Sequence, residues 1–282
     1  MTMTNTHDDD ATLETLRELV ERLARTAAEQ VRRERPETVT VDRTKLNASD
    51  VVTAADLAAE RLLREILAAE RPDDAILGEE GGATAGTSGL TWVVDPIDGT
   101  VNYLYGLPST SVSVAVVAGE ADPARWEVLA GAVTDITTGA TTSAARGRGA
   151  HHEGVRLEVA EPVPLDLTLV ATGFFYDDAL RAAQGRSVAT LLEHVRDIRR
   201  MGSAALDLCR VARRQVDAYY EEGLSPWDHA AGELIVREAG GVVVGLDGGR
   251  PGRSLVLAGH PETVARLEAI LAPTGVGNRS DR

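Results

Sequence analysis

The run Trp92-Val93-Val94-Asp95-Pro96-Ile97-Asp98-Gly99-Thr100 decides how the rest of the chain is read. Its apolar start predicts a buried strand that delivers Asp95 at its end, Pro96 restrains the turn, and Asp98 returns a second carboxylate shortly afterwards. Two hard oxygen ligands can then face one cation. Gly99 permits a tight backbone path, and Thr100 adds a hydroxyl and a helix-starting N–H where an anion can lie. The Ile97 carbonyl is a further candidate ligand, although its side chain is apolar. An oxygen set without Cys or His favours Mg²⁺ over zinc. Taken alone, the run also fits an Asx-rich turn.

Two other segments change that balance. Ala75–Leu77 predicts a short strand leading into Gly78-Glu79-Glu80-Gly81-Gly82, where Glu79 can complete a metal site and orient water. Glu80 is read either as a supporting group or as a solvated one. Trp227 and Asp228 begin a helix of small residues behind Pro226, and Asp228 there is either a metal ligand or a helix cap.

Leu13, Leu16, Leu19, Val20, Leu23 and Ala27 have helical spacing up to Val31, and Asp8–Asp10 is expected to fray or to cap that helix. Glu37–Asp50 reads as an extended link, and Asp50 or Thr53 as the cap of a second helix that stops before Pro72. Strands are expected at Thr91–Val94, Ser111–Val117, Trp126–Asp135 and Gly154–Val159, making an α+β lobe with an antiparallel or mixed sheet over 1–160. Pro162-Val163-Pro164 marks a boundary. Residues 161–282 are read as an α/β lobe: strand Leu167–Ala171, helices Ala179–Val195 and Ala204–Arg214, strand Val216–Tyr220, the helix after Pro226, and strands Val242–Val244 and Leu255–Leu257.

The chain has 282 residues, 29 Lys plus Arg against 44 Asp plus Glu, and a formal charge of -15. Such a surface repels nucleic-acid phosphates and anionic lipid, so neither nucleic acid nor membrane is an expected partner. A metal ion or a nest of N–H groups would still let an anionic substrate bind. The single cysteine, Cys209, forms no internal disulfide, and the first residues carry no apolar signal core, which points to the cytoplasm. With 4% aromatic residues, the core is expected to consist of Ala, Val and Leu. His151 and His152 are read as a polar loop, Cys209 and His229 as structural, Asp207 as a helix-supporting residue and Tyr219 as a packing residue. Gly78–Gly82 is not a GxGxxG fingerprint, which argues against a dinucleotide-binding fold.

GEE at 78–80, WVVDPIDGTVNYLYG at 92–106, MGSAALDLCRVARRQVDAYYEEG at 201–223 and WDHAAGELIVREAGG at 227–241 together resemble the inositol monophosphatase family of Mg²⁺-dependent, lithium-sensitive phosphatases. The resemblance covers nearly the whole chain after the first ten residues. It implies a layered α-β-α-β-α sandwich of the inositol monophosphatase and fructose-bisphosphatase type. It also implies Glu79, Asp95, the Ile97 carbonyl, Asp98 and Asp228 as ligands for two or three Mg²⁺ ions, with Glu79, Thr100 and Asp98 as the catalytic set. Lys45, Asp50, Thr53 and Asp56 match a mobile segment near the metals. The Gly99 and Thr100 N–H groups match phosphate donors, Gly202, Ser203 and Ala204 a substrate-side turn, and Glu221 a carboxylate that contacts sugar hydroxyls. A homodimer is implied as well.

The expected reaction is hydrolysis of a small phosphate monoester by metal-activated water without a phosphoenzyme, with inositol 1-phosphate as the favoured substrate. Histidinol phosphate, fructose 1,6-bisphosphate and a 3′-phosphorylated adenosine nucleotide are the alternatives within the family. A non-catalytic ligand-binding or protein-binding member is the alternative outside catalysis. Alanine at Asp98 is expected to reduce turnover greatly while largely sparing the fold in saturating Mg²⁺.

Overall fold

The computed structural model describes residues 10–119 and 122–278. Along the chain run α1 (Asp10–Arg33), β1 (Val41–Thr44), β2 (Val51–Thr53), α2 (Ala54–Glu70), β3 (Ala75–Gly78), β4 (Gly82–Thr84), β5 (Leu90–Asp98), α3 (Thr100–Tyr105), β6 (Ser111–Ala118), β7 (Glu127–Asp135), β8 (Thr141–Ala145), β9 (Ala150–His152) and β10 (Val155–Arg156). They are followed by β11 (Leu169–Thr172), α4 (Asp178–Leu191), β12 (Asp197–Arg199), α5 (Ala204–Ala212), β13 (Ala218–Glu221), α6 (Pro226–Glu238), β14 (Val242–Val244), β15 (Val256–Gly259) and α7 (Pro261–Leu271).

The first sheet has the order β10-β9-β8-β7-β6-β5-β3-β4, antiparallel except for the parallel pair β3 and β5. The second has the order β12-β11-β13-β15-β14, with β11 parallel to both its neighbours and the other pairs antiparallel. A separate hairpin pairs β1 with β2.

Alternation along β5 explains the layers. Trp92 and Val94 face a core shared with α1 and α2, while Val93 faces the opposite core with α5 and α6. Because helices cover both faces, β5 is apolar on both, which is why it reads as a continuous hydrophobic run. The inner core continues through α5 and α6 to Tyr219, Val256 and Ala258 of the second sheet, whose outer face packs on Leu191 of α4 and Leu267 of α7. The result is the five-layer α-β-α-β-α sandwich, its core rich in Ala, Val and Leu.

Several expectations need correction. Gly154–Val159 is not one strand: β9 and β10 form a hairpin around Glu153 and Gly154, both at positive φ. His151 and His152 therefore sit in β9 rather than in a polar loop. β5 does not stop at Asp95 but runs to Asp98 through a register shift in its pairing with β6, so a bulge rather than a strand end re-aims the carboxylates. The link Glu37–Asp50 contains β1, and Asp10 opens α1, whereas Asp8 and Asp9 lie outside the described residues. Among the described residues no helix is long and apolar enough to cross a membrane.

Candidate active site

The end of β5, the β1–β2 and β3–β4 turns, the first turns of α3, α5 and α6, and the end of β13 meet around one cavity of about 400 Å³. Lys45, Asp50 and Glu79 line one wall, Asp95, Ile97, Asp98, Gly99 and Thr100 the floor, and Gly202, Ala204, Glu221 and Asp228 the other side. The structure thus joins segments that are far apart in sequence.

Asp95 is 1% exposed, and its Oδ1 has no hydrogen-bond partner. Burial, followed by the charges of Glu79, Asp98 and Asp228, pushes its carboxyl well above the usual range. Asp98 is held very differently. Its Oδ2 accepts from the Ser203 hydroxyl at 2.6 Å and the Ala205 N–H at 2.8 Å, and its Oδ1 accepts from the Ala204 N–H at 3.3 Å. These bonds only partly offset the burial that raises its pKa. Asp228 accepts the Ser225 N–H at 2.7 Å within a capping box at the start of α6, so it caps the helix and also lines the cavity. Burial and the neighbouring acids raise it well above the ordinary carboxylate range.

Glu79 accepts from Lys45 Nζ at 2.7 Å. Burial pushes its pKa up to about 7 against the pull of Lys45. The same ammonium lies 2.7 Å from Glu80, which also receives Arg43 at 2.9 Å. Burial works against the charge of Lys45, but the two glutamates outweigh it and hold its pKa above the usual value. Among the described residues, no three His, Cys, Asp or Glu side chains stand arranged to hold a metal ion. The donor set nevertheless fits a hard divalent cation: every candidate is oxygen, one buried carboxylate oxygen is unpartnered, and the acids raise one another's pKa. An ion held there would require Glu79 to share or leave Lys45.

The Thr100 hydroxyl lies 3.0 Å from the Ile97 carbonyl and 3.1 Å from Asp56 Oδ1, and donates to one of them at a time. Asp56 accepts the Thr53 N–H at 2.9 Å in the capping box of α2, and burial lifts its pKa to about 6. Thr53 and Asp56 therefore do not belong to a loop with Lys45 and Asp50. They end β2 and begin α2, buried behind Thr100. Ser203 is likewise absent from the cavity lining and grips Asp98 and Ser111 instead. Gly99 adopts φ 92° as it enters α3, a conformation a side chain disfavours. Glu221 accepts from the Tyr219 hydroxyl at 2.7 Å, and burial raises its pKa to about 7. Asp207 pairs with Arg210 at 2.6 Å, while His229 and Cys209 are fully buried.

Other residues support or line the site without a role assigned from sequence. Asn102 donates to the Met201 carbonyl at 2.7 Å and the Ser109 carbonyl at 2.9 Å, tying the Gly202 turn to α3. Asn47 donates to the Tyr176 carbonyl at 2.7 Å and so joins the β1–β2 turn to the loop after β11. Phe175, Arg200 and Arg253 also line the cavity, with the Arg253 guanidinium 5.1 Å from the Phe175 ring centre. Asn47, Asn102 and Arg200 lie in or beside recognised motifs, whereas Phe175 and Arg253 lie outside them.

A model of the inositol monophosphatase family matches residues 12–274. The chain belongs to the inositol monophosphatase family. It is 44% identical over 278 residues to the inositol-1-monophosphatase of Mycobacterium leprae, covering 92% of this chain and 94% of that protein. It is 38% identical over 240 residues to the Nus factor SuhB of Escherichia coli K12, covering 81% and 85% of the two. Among solved structures, Mycobacterium tuberculosis SuhB superposes with a TM-score of 0.78 at 42% identity over 93% of this chain and 98% of its own. The extragenic suppressor protein suhB of Bartonella henselae gives 0.82 at 32% identity over 90% and 97%. Inositol monophosphatase folds and this five-layer sandwich are thus one architecture.

Proposed function

We propose that the protein is a Mg²⁺-dependent phosphate monoester hydrolase whose preferred substrate is inositol 1-phosphate. The observation that carries this reading is the convergence of buried or half-buried Glu79, Asp95, Asp98 and Asp228, from three separate chain segments, on one cavity. Together with the Ile97 carbonyl they would hold two or three Mg²⁺ ions, whose chemistry is to acidify water, screen the phosphate charge and stabilise the leaving alkoxide. Glu79 accepts the proton of the attacking water, and the Thr100 hydroxyl fixes that water's direction. The Gly99 and Thr100 N–H groups receive phosphate oxygens, while Glu221 and the Gly202–Ala204 turn receive the polyol hydroxyls. Lithium inhibition, a cytoplasmic location and a homodimer belong to the same reading. The exposed Tyr105, which ends α3, and Leu107 just beyond it support a partner surface.

Phosphate release from inositol 1-phosphate, histidinol phosphate, fructose 1,6-bisphosphate and a 3′-phosphorylated adenosine nucleotide, with and without Mg²⁺ and Li⁺, tests this. The expected result is Mg²⁺-dependent, Li⁺-inhibited release, with kcat/KM for inositol 1-phosphate about tenfold or more above the others. Absence of release from all four in Mg²⁺ would sink it. A second reading, a binding role independent of catalysis, draws on relatives named Nus factor SuhB, such as that of Haemophilus influenzae at 43% identity over 211 residues. It predicts that Asp95→Asn loses hydrolysis yet complements a null strain.

A further inference from the structure

Glu60 lies on α2, 2% exposed, and faces the turn between β3 and β4. Its Oε2 accepts the Glu80 N–H at 2.7 Å, and its Oε1 accepts the Gly81 N–H at 2.8 Å and Arg64 Nε at 2.7 Å. Arg64 continues to the Gly82 carbonyl at 2.6 Å and the Thr84 hydroxyl at 3.0 Å. One ion pair, its carboxylate buried and its guanidinium half-buried, thus grips the turn at consecutive points. The glycines on either side of Glu79 and Glu80 make room for it: a Cβ on Gly78 or Gly81 would lie 2.4 or 2.7 Å from Glu60 Oε1. A carboxylate buried this deeply persists only when its oxygens are hydrogen-bonded, and here the turn's own backbone supplies the donors.

We propose that Glu60 is a positioning residue that acts through this turn. By fixing the backbone of Glu80 and Gly81 it sets the pitch at which Glu79 meets the Asp95 side chain, and the place where Glu80 anchors Lys45 and Arg43. Outer groups that orient ligating carboxylates commonly change metal affinity or activity by about 10–100-fold when removed. What Glu79 does once positioned rests on the phosphatase reading; the clamp itself does not.

Glu60→Gln keeps the volume but turns an amide N–H toward one of the two backbone donors. Three measurements separate the outcomes: hydrogen–deuterium exchange of peptides spanning 78–84 with a β6 peptide as reference, Mg²⁺ binding by calorimetry, and phosphate release. Exchange in the turn is expected to accelerate about tenfold with β6 unchanged, and the Mg²⁺ dissociation constant to rise about tenfold or more. Glu65→Gln, exposed on the same helix, is expected to match the wild type in all three. Where E60Q fails to fold, Arg64→Gln tests half of the clamp, with the same changes expected at smaller size. Wild-type exchange and Mg²⁺ affinity in E60Q would overturn the proposal, as would faster exchange in β6 and the turn alike. A wild-type protein that binds Mg²⁺ but releases no phosphate would sink the substrate reading alone, leaving exchange and calorimetry to decide the role of Glu60.

Discussion

The two walls of the cavity are built on opposite principles. On the hairpin side, Glu79 and Glu80 are held by Lys45 and Arg43, long cations whose side chains are 29% and 50% exposed. On the helix side, Asp98 and Asp228 are held by backbone N–H groups and a serine at the starts of α5 and α6. Ion pairs whose cation is partly exposed are exchanged for water or another cation at little cost, whereas carboxylates capped by backbone donors are not. The helix side is therefore a fixed frame, and under the proposed function the hairpin side is the part that would yield to a divalent ion.

The largest expected effect falls on the fixed frame. Asp98→Ala should lower kcat by about 10³-fold or more, as expected when a group stabilising transition-state charge is lost. Contrary to the expectation from sequence, it should also cost about 1–3 kcal/mol in urea unfolding, because Ser203, Ala204 and Ala205 lose their acceptor. Unchanged unfolding would show that α5 does not depend on Asp98.

A smaller effect concerns pH without metal. Burial raises the pKa of Asp56 to about 6, and those of Glu79, Glu221 and Asp207 to about 7. The folded state therefore binds these protons more tightly than the unfolded state, and its stability falls as pH rises from the ordinary carboxylate range through 7. Tm measured in a chelator should drop by about 5–10 °C between pH 5 and pH 8, and saturating Mg²⁺ should flatten that slope. A metal-free Tm that rises over this interval would contradict the burial of these acids.

The smallest effect belongs to the yielding wall. Lys45→Gln frees Glu79 from its internal cation, while Glu80 keeps Arg43, and should tighten Mg²⁺ binding by about three- to tenfold in calorimetry. Weaker binding instead would mean that Lys45 builds the site rather than competing for it.

Legibility in the sequence followed burial. β5, β6, β7 and α1 are apolar on faces that meet a core, so their periodicity shows. β1 is exposed at every position and α3 has six residues, too polar or too short to leave a pattern. α7 carries a helix-start proline and buried Val264, Leu267 and Leu271; its signal is present, although no helix was expected there. At the site, the carboxylates near Asp95 could be read because they are clustered in the chain. Thr53, Asp56 and Ser203 are site residues of another kind, holding Thr100 and Asp98 from behind, which only the folded backbone reveals. Glu60 carried no signal of its own. The glycines flanking Glu79 and Glu80 were its imprint, legible only once a partner on α2 was seen to fill the space.

The middle layer of α5 and α6 has a consequence for biosynthesis. Both helices lie in the later half of the chain, yet they cover one face of the sheet formed by the earlier half. As the polypeptide leaves the ribosome, the β5–β8 surface stays bare until those helices emerge, an interval in which it is open to chaperones or to aggregation.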